Sequence, residues 1–208
     1  QTYGTKLTMI RETNYDHLFE SQKQYRLLLD CMAKPGVIAN LDADINVPDG
    51  LNKTSALVGF ALLNSDVSFC NTINQEVLDT YFIINTSASP AESDVADFIF
   101  VNGEKPDVKK VSMAKIGLPA YPESGAFIII DVKQISDSPL QDGVKLMLEG
   151  PGVKDTKDIY VGGISTELLE VILERNIEYP LGVDTIITDK NGAVCCIPRS
   201  YKFKYQEL

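Results

Sequence analysis

Ala126-Phe127-Ile128-Ile129-Ile130-Asp131-Val132 is a short, almost wholly apolar run entered from the turn formers Pro122-Glu123-Ser124-Gly125. A strand with one wet face alternates apolar and polar residues, so a continuous run predicts a strand covered on both faces, as in the sheets of α/β proteins. Asp97-Phe98-Ile99-Phe100-Val101 has the same character. Further strands are expected at Val67 to Phe69, at Val144 to Glu149 closed by Gly150-Pro151-Gly152, and at Tyr81 to Ile84, whose bulky side chains favour extended backbone. Thr185 to Ile187 should pair with Val194 to Ile197 across Asp189-Lys190-Asn191-Gly192, because Asn-Gly between two apolar runs is a specific hairpin signal.

Helices are threaded among these strands. From Asn14, a plausible N-cap, Leu18, Phe19, Tyr25, Leu28, Leu29 and Met32 recur at helical spacing until Pro35-Gly36. Val37 to Asp42 reads as a short extended piece, and Lys53 to Leu63 as a helix apolar nearly all round and therefore buried. Thr72 to Thr80 reads as a short helix or turn, and Ser165 can cap a helix through about Arg175. The pattern predicts an α/β chain, a single-domain three-layer sandwich with a mixed sheet over residues 14–208, preceded by an N-terminal extension over residues 1–13.

The 208 residues suffice for one sizeable core, and 44% hydrophobic with 23% charged residues excludes collagen-like, low-complexity and wholly disordered classes. Nineteen Lys and Arg against 29 Asp and Glu give a formal charge of −10, which opposes a broad nucleic-acid or anionic-membrane surface. No stretch is long and apolar enough for a membrane span, and a cytoplasmic location is expected. Cys31, Cys70, Cys195 and Cys196 contain no Cys-x-x-Cys pair, and the two adjacent ones should point to opposite faces of a strand. With His17 as the one histidine, any triad with a His base would have to use it, and a metal site would rest on carboxylates, so no metal is expected.

Phosphate-loop, nucleophile-elbow and dinucleotide fingerprints are all missing. Gly150-Pro151-Gly152 lacks the required spacings and reads as a tight turn. Gly162-Gly163-Ile164-Ser165 precedes a helix, but Glu167 and Glu170 already complement its dipole, so capping is the better reading. Lys154 and Lys157 read as solvated loop residues rather than a Schiff-base lysine.

The densest specific segment is Ser21-Gln22-Lys23-Gln24-Tyr25-Arg26-Leu27-Leu28-Leu29-Asp30-Cys31-Met32-Ala33-Lys34-Pro35-Gly36. It resembles the Ser-Gln-x-x-Phe-Arg-x-Leu-Leu-x-Ala-Met-Ala-x-Pro-Gly pattern of the PhnH family, subunits of the bacterial carbon–phosphorus lyase system. Three later segments are similar to that family's motifs in the same order: Tyr121 to Ala126, Leu148 to Val153, and Tyr179-Pro180-Leu181-Gly182-Val183-Asp184 followed by Ile197-Pro198-Arg199-Ser200. The resemblance implies a fold similar to the large domain of pyridoxal-phosphate-dependent transferases, but without that cofactor and with no other. It also implies a homodimer that joins PhnG, PhnI and PhnJ, with PhnL and PhnK as further candidate partners. That complex uses ATP and an alkylphosphonate to form a ribose 1-alkylphosphonate 5-triphosphate.

Two roles fit such a subunit. The favoured one is accessory and scaffolding, without activity in isolation, because groups for acid–base or metal chemistry are scarce. The alternative is a catalytic or phosphate-binding subunit with its own nucleotide or phosphonate cleft. For that role Arg26 and Arg199 are the candidate anion-binding residues, since a guanidinium fork matches phosphonate oxygens, and Asp184 could orient one of them. Catalytic residues are not identified. The competing account of Arg26 is an i,i+4 pair with Asp30, and that of Arg199 is a solvent-facing edge residue.

Overall fold

The structure, a computed structural model, describes residues 15–73, 75–151 and 156–208. The expected Asn14 cap, the extension over residues 1–13, Gly152 and Lys154 lie outside the described residues. In chain order the elements are α1 (Phe19–Ala33), β1 (Ala39–Asn40), α2 (Lys53–Leu62), β2 (Ser68–Asn71), α3 (Gln75–Thr86), β3 (Ser89–Pro90), β4 (Phe98–Asn102) and α4 (Val108–Ser112). After a 3-10 turn at Pro122–Ser124 come β5 (Phe127–Val132), β6 (Gln134–Ser136), β7 (Val144–Glu149), β8 (Lys157–Gly162), α5 (Thr166–Arg175), β9 (Asp184–Asp189), β10 (Ala193–Ile197) and β11 (Lys202–Glu207).

The apolar run at 126–132 forms β5 at the centre of a seven-stranded mixed sheet ordered β1-β10-β9-β5-β4-β2-β3. Strands β3, β2, β4, β5 and β9 are parallel, while β10 returns antiparallel through the expected hairpin, with Cys196 opposite Ile186 and Ile197 opposite Thr185. Period-two alternation sends Ile129, Phe98, Phe100, Ile186, Val194 and Cys196 to one face, where α1, α2 and α3 cover them. Ile128, Ile130, Ile99, Val101, Ile187 and Cys195 face the other way. The adjacent cysteines therefore do point into opposite cores. Ile128, Ile129 and Ile130 have no exposed surface, and each contributes about 1.5–3 kcal/mol of apolar burial.

What covers the second face was not foreseen. Alongside α4 and α5 lies an antiparallel sheet, β11-β7-β8-β6, that presses Val144, Leu146, Leu148, Ile159, Val161 and Phe203 onto it. Strands β8 and β11 carry charged residues on their wet face, which masks their inward alternation, and Lys157 opens β8 instead of lying in a loop.

The expected strand at Tyr81 to Ile84 is a correction: these residues continue α3. Leu78, Tyr81 and Phe82 are fully buried at i, i+3 and i+4, with Ile83 and Ile84 outside, so helical burial overrides the local strand preference. The start of α1 also differs. The Asp16 carboxylate accepts from the amides of Leu18 (2.9 Å) and Phe19 (3.1 Å), the work of a cap. Ser165 holds the N-cap position of α5, but its side chain makes no capping bond.

Candidate functional site

The hairpin register that sets Ile197 opposite Thr185 brings the residues just outside it together, and Arg199 lands on Asp184. The Arg199 amide donates to Asp184 Oδ1 at 2.8 Å, while Nε and Nη2 donate to Oδ2 at 3.1 and 2.5 Å. Nη1 donates to the Pro122 carbonyl at 2.6 Å, and Nη2 reaches the Gly125 carbonyl at 3.5 Å. The side chains are 11% and 15% exposed, so this is a largely buried ion pair with further hydrogen bonds. Asp184 thus pairs with Arg199, and every guanidinium nitrogen already has an acceptor within the protein. Arg199 is not the solvent-facing edge residue that its place after Pro198 allowed.

Neighbouring contacts bind the same loops. Asn176 donates to the Val183 carbonyl at 3.1 Å and accepts from its amide at 2.7 Å. The Gly182 amide donates to Ile116 O, that of Ala126 to Lys115 O, and the Arg175 guanidinium to Ala114 O. The segments 114–126, 175–184 and 198–200 therefore form one junction at the amino ends of β5 and β9. Its outer surface leaves Leu118, Tyr121, Ile177 and Tyr179 60–75% exposed.

Arg26 is elsewhere. It is exposed on α1 and lines a shallow recess with Phe19, Gln22, Lys23, Leu27 and Asp30; neither Arg199 nor Asp184 belongs to that recess. Arg26 makes no ion pair among the described residues, with Asp30 or any other carboxylate.

A second polar cluster, which sequence reasoning missed, sits at the opposite, carboxyl end of the parallel strands. After Ile130, Asp131 turns toward the helical layer and meets the start of α2. Its Oδ2 accepts the Asn52 amide at 3.0 Å, and Oδ1 accepts the hydroxyls of Ser55 and, at 3.3 Å, Thr188. Asn52 in turn caps α2, accepting the Ser55 amide at 2.7 Å. Burial outweighs these donors and pushes the Asp131 carboxyl up to about 7. A carboxylate inside an otherwise apolar strand was the available signal.

The thiols are buried. Burial pushes the Cys195 thiol up to about 12 and raises Cys70 as well, opposite to what a nucleophile needs. His17 packs against Tyr15 and Phe60, and burial lowers its affinity for a proton. Among the described residues no three His, Cys, Asp or Glu side chains are grouped to hold a metal ion, and no helix is long and apolar enough to cross a membrane.

Two of the four family-like segments, Tyr121 to Ala126 and the paired Tyr179 to Asp184 with Ile197 to Ser200, thus converge on Arg199. The family model described as bacterial phosphonate metabolism protein PhnH matches residues 13–204. The chain belongs to the PhnH family. Alpha-D-ribose 1-methylphosphonate 5-triphosphate synthase subunit PhnH of Rhizobium meliloti (strain 1021) is 26% identical over 192 residues, covering 91% of this chain and 92% of the relative. HtxG of Stutzerimonas stutzeri, whose name assigns it provisionally as a C-P lyase subunit protein, is 24% identical over 179 residues, covering 86% and 83%. For a PhnH-family chain, the junction places Pro122, Gly125, Asp184 and Arg199 in one hydrogen-bonded unit.

Proposed function

We propose that this chain is an accessory, scaffolding subunit of a carbon–phosphorus lyase system for alkylphosphonate utilisation, contributing to formation of a ribose 1-alkylphosphonate 5-triphosphate from ATP and a phosphonate. One observation carries the accessory reading: Arg199 holds three loops together through Asp184, Pro122 and Gly125, with Nε, Nη1 and Nη2 each bonded within the protein. The loops so held carry Leu118, Tyr121, Ile177 and Tyr179 outward, the kind of exposed apolar and aromatic patch that meets another protein.

In this reading the domain over residues 14–208 works as a homodimer in the cytoplasm with PhnG, PhnI and PhnJ, and with PhnL or PhnK joining for the ATP-dependent step. Nucleic acid and membrane are not partners. We further take the mixed sheet to be related to the large domain of pyridoxal-phosphate-dependent transferases, here without the cofactor. The names of the relatives support the assembly, since one is a synthase subunit and the other is assigned to C-P lyase.

Affinity purification of the tagged chain at native expression levels tests the reading. Recovery of the other synthase subunits is expected, together with no turnover of ATP and methylphosphonate by the isolated chain. Robust turnover without partners, or recovery of no partner at all, overturns it.

A further inference from the structure

We propose that the recess at the N-terminus of α2 binds a tetrahedral oxyanion, the phosphate or phosphonate group of a small ligand. The recess has a volume of about 220 Å³ and a mainly polar lining that includes Asn40, Asp42, Lys53, Thr54, Lys190 and Gly192. It lies past the carboxyl ends of β5 and β9, where open α/β sheets place their ligands.

The opening residues of α2 supply the donors. Asn52 caps the Ser55 amide, and the Asn52 amide goes to Asp131. The amides of Lys53 and Thr54, the first two of the helix, have no acceptor among the described residues. Two free amides at the positive end of a ten-residue helix suit an anion.

Thr54 supplies the independent observation. Thr54 is 1% exposed and belongs to the recess wall, yet its Oγ1 has no hydrogen-bond partner among the described residues. A buried hydroxyl without a partner costs about 1–3 kcal/mol, and side chains in a first helical turn lean toward the N-terminus, here the recess. The neighbouring hydroxyl of Ser55 is already committed to Asp131 and Thr188. An anion oxygen seated over the first turn accepts from Thr54 and satisfies it.

Two ammonium groups complete the site. Lys190, in the β9–β10 hairpin, is exposed and has no ion-pair partner among the described residues. Lys53 is held by the outer carboxylate of Asp42 at 3.1 Å, a solvent-screened pair that a dianion can replace. Asp189, next to Lys190, is engaged by the Asn191 and Ala193 amides, and Asp131 is engaged by the Asn52 amide and the Ser55 hydroxyl. The site uses neither Arg26 nor Arg199 and does not depend on the scaffolding reading.

Calorimetric titration of the full chain with inorganic phosphate, methylphosphonate and ATP tests the site, combined with amide chemical shifts. Saturable binding that shifts the Lys53 and Thr54 amides is expected, weakened about tenfold by Thr54→Val and several-fold by Lys190→Gln, with the melting temperature of the free chain unchanged in Lys190→Gln and raised in Thr54→Val, which removes the unpartnered hydroxyl. Tighter binding of ATP than of phosphate identifies a nucleotide, and methylphosphonate equal to or tighter than both identifies a phosphonate. No saturable binding of any of the three at millimolar concentration overturns the proposal. So does binding that leaves those two amides unshifted and is indifferent to Lys190→Gln, the exposed variant with no reason to misfold.

Discussion

Arg199 holds Asp184 from three of its nitrogens, the backbone amide at 2.8 Å, Nε at 3.1 Å and Nη2 at 2.5 Å. An arginine whose carboxylate and carbonyl partners are all supplied by the protein acts as a fastener. Arg199→Ala leaves Asp184 nearly buried without its cation and frees two carbonyls, so a loss of about 3–5 kcal/mol in urea unfolding is expected. Asp184→Asn should cost less, because the amide oxygen still accepts. If Arg199→Ala unfolds at the wild-type urea concentration while abolishing growth on a phosphonate as phosphorus source, Arg199 is a ligand-binding residue after all.

The same fastener explains why Gly125 tolerates no side chain. A Cβ there would sit 2.3 Å from the Gly182 carbonyl oxygen and 2.5 Å from Arg199 Nη1. Backbone cannot yield as a flexible side chain can, so Gly125→Ala is expected to cost about 1–3 kcal/mol and to loosen the junction. Gly162 is the control: its nearest neighbours to an added Cβ lie at 3.5 Å, and Gly162→Ala should change stability by less than about 1 kcal/mol. Equal melting temperatures for the two variants would contradict the crowding argument.

Asp131 makes stability depend on pH in the direction opposite to that of a salt-bridged carboxylate. Its folded value of about 7 lies above the ordinary carboxylate value of about 3.9, so between these limits the folded chain holds a proton that the unfolded chain has lost. Unfolding then releases a proton, and stability falls as pH rises from about 4 to about 7 by an amount on the order of 4 kcal/mol. Asp131→Asn, which keeps an oxygen for the Asn52 amide, should flatten that slope and be the more stable protein at pH 8. Urea titrations across the pH range check both; a wild-type slope retained in the variant assigns the titration to another group.

Much of this is legible in the sequence. The Ile128 to Ile130 run, the Asn191-Gly192 hairpin and the buried helix from Lys53 are written in local pattern, because each depends on neighbours in sequence. The second sheet is not legible, since Phe203 is paired with Leu148 across the intervening β8, α5, β9 and β10 and is flanked by lysines. Tyr81 and Phe82 mislead for the opposite reason: their types favour a strand, while the Phe60 ring that meets Tyr81 and the Phe69 and Phe100 rings that meet Phe82 come together only in the folded chain. Arg199 and Asp184 were found as residues because the family pattern marks them, but their mutual grip follows from register. Thr54 carries no pattern at all; only burial without a partner singles it out.

The exposed rim of the junction gives the last test, because it separates contact from stability. Leu118, Tyr121, Ile177 and Tyr179 stand on loops whose backbones are tied down from beneath, so their side chains can change without disturbing the ties. Exposed positions of this kind usually shift stability by no more than about 0.5 kcal/mol. An aromatic or aliphatic anchor at an interface, by contrast, costs about 2 kcal/mol or more on truncation, a loss of at least tenfold in affinity. The double variant Tyr121→Ser, Ile177→Ser is therefore expected to keep the wild-type melting temperature while recovering the other synthase subunits at least tenfold less efficiently. Wild-type recovery with a wild-type melting temperature moves the subunit contact to another surface.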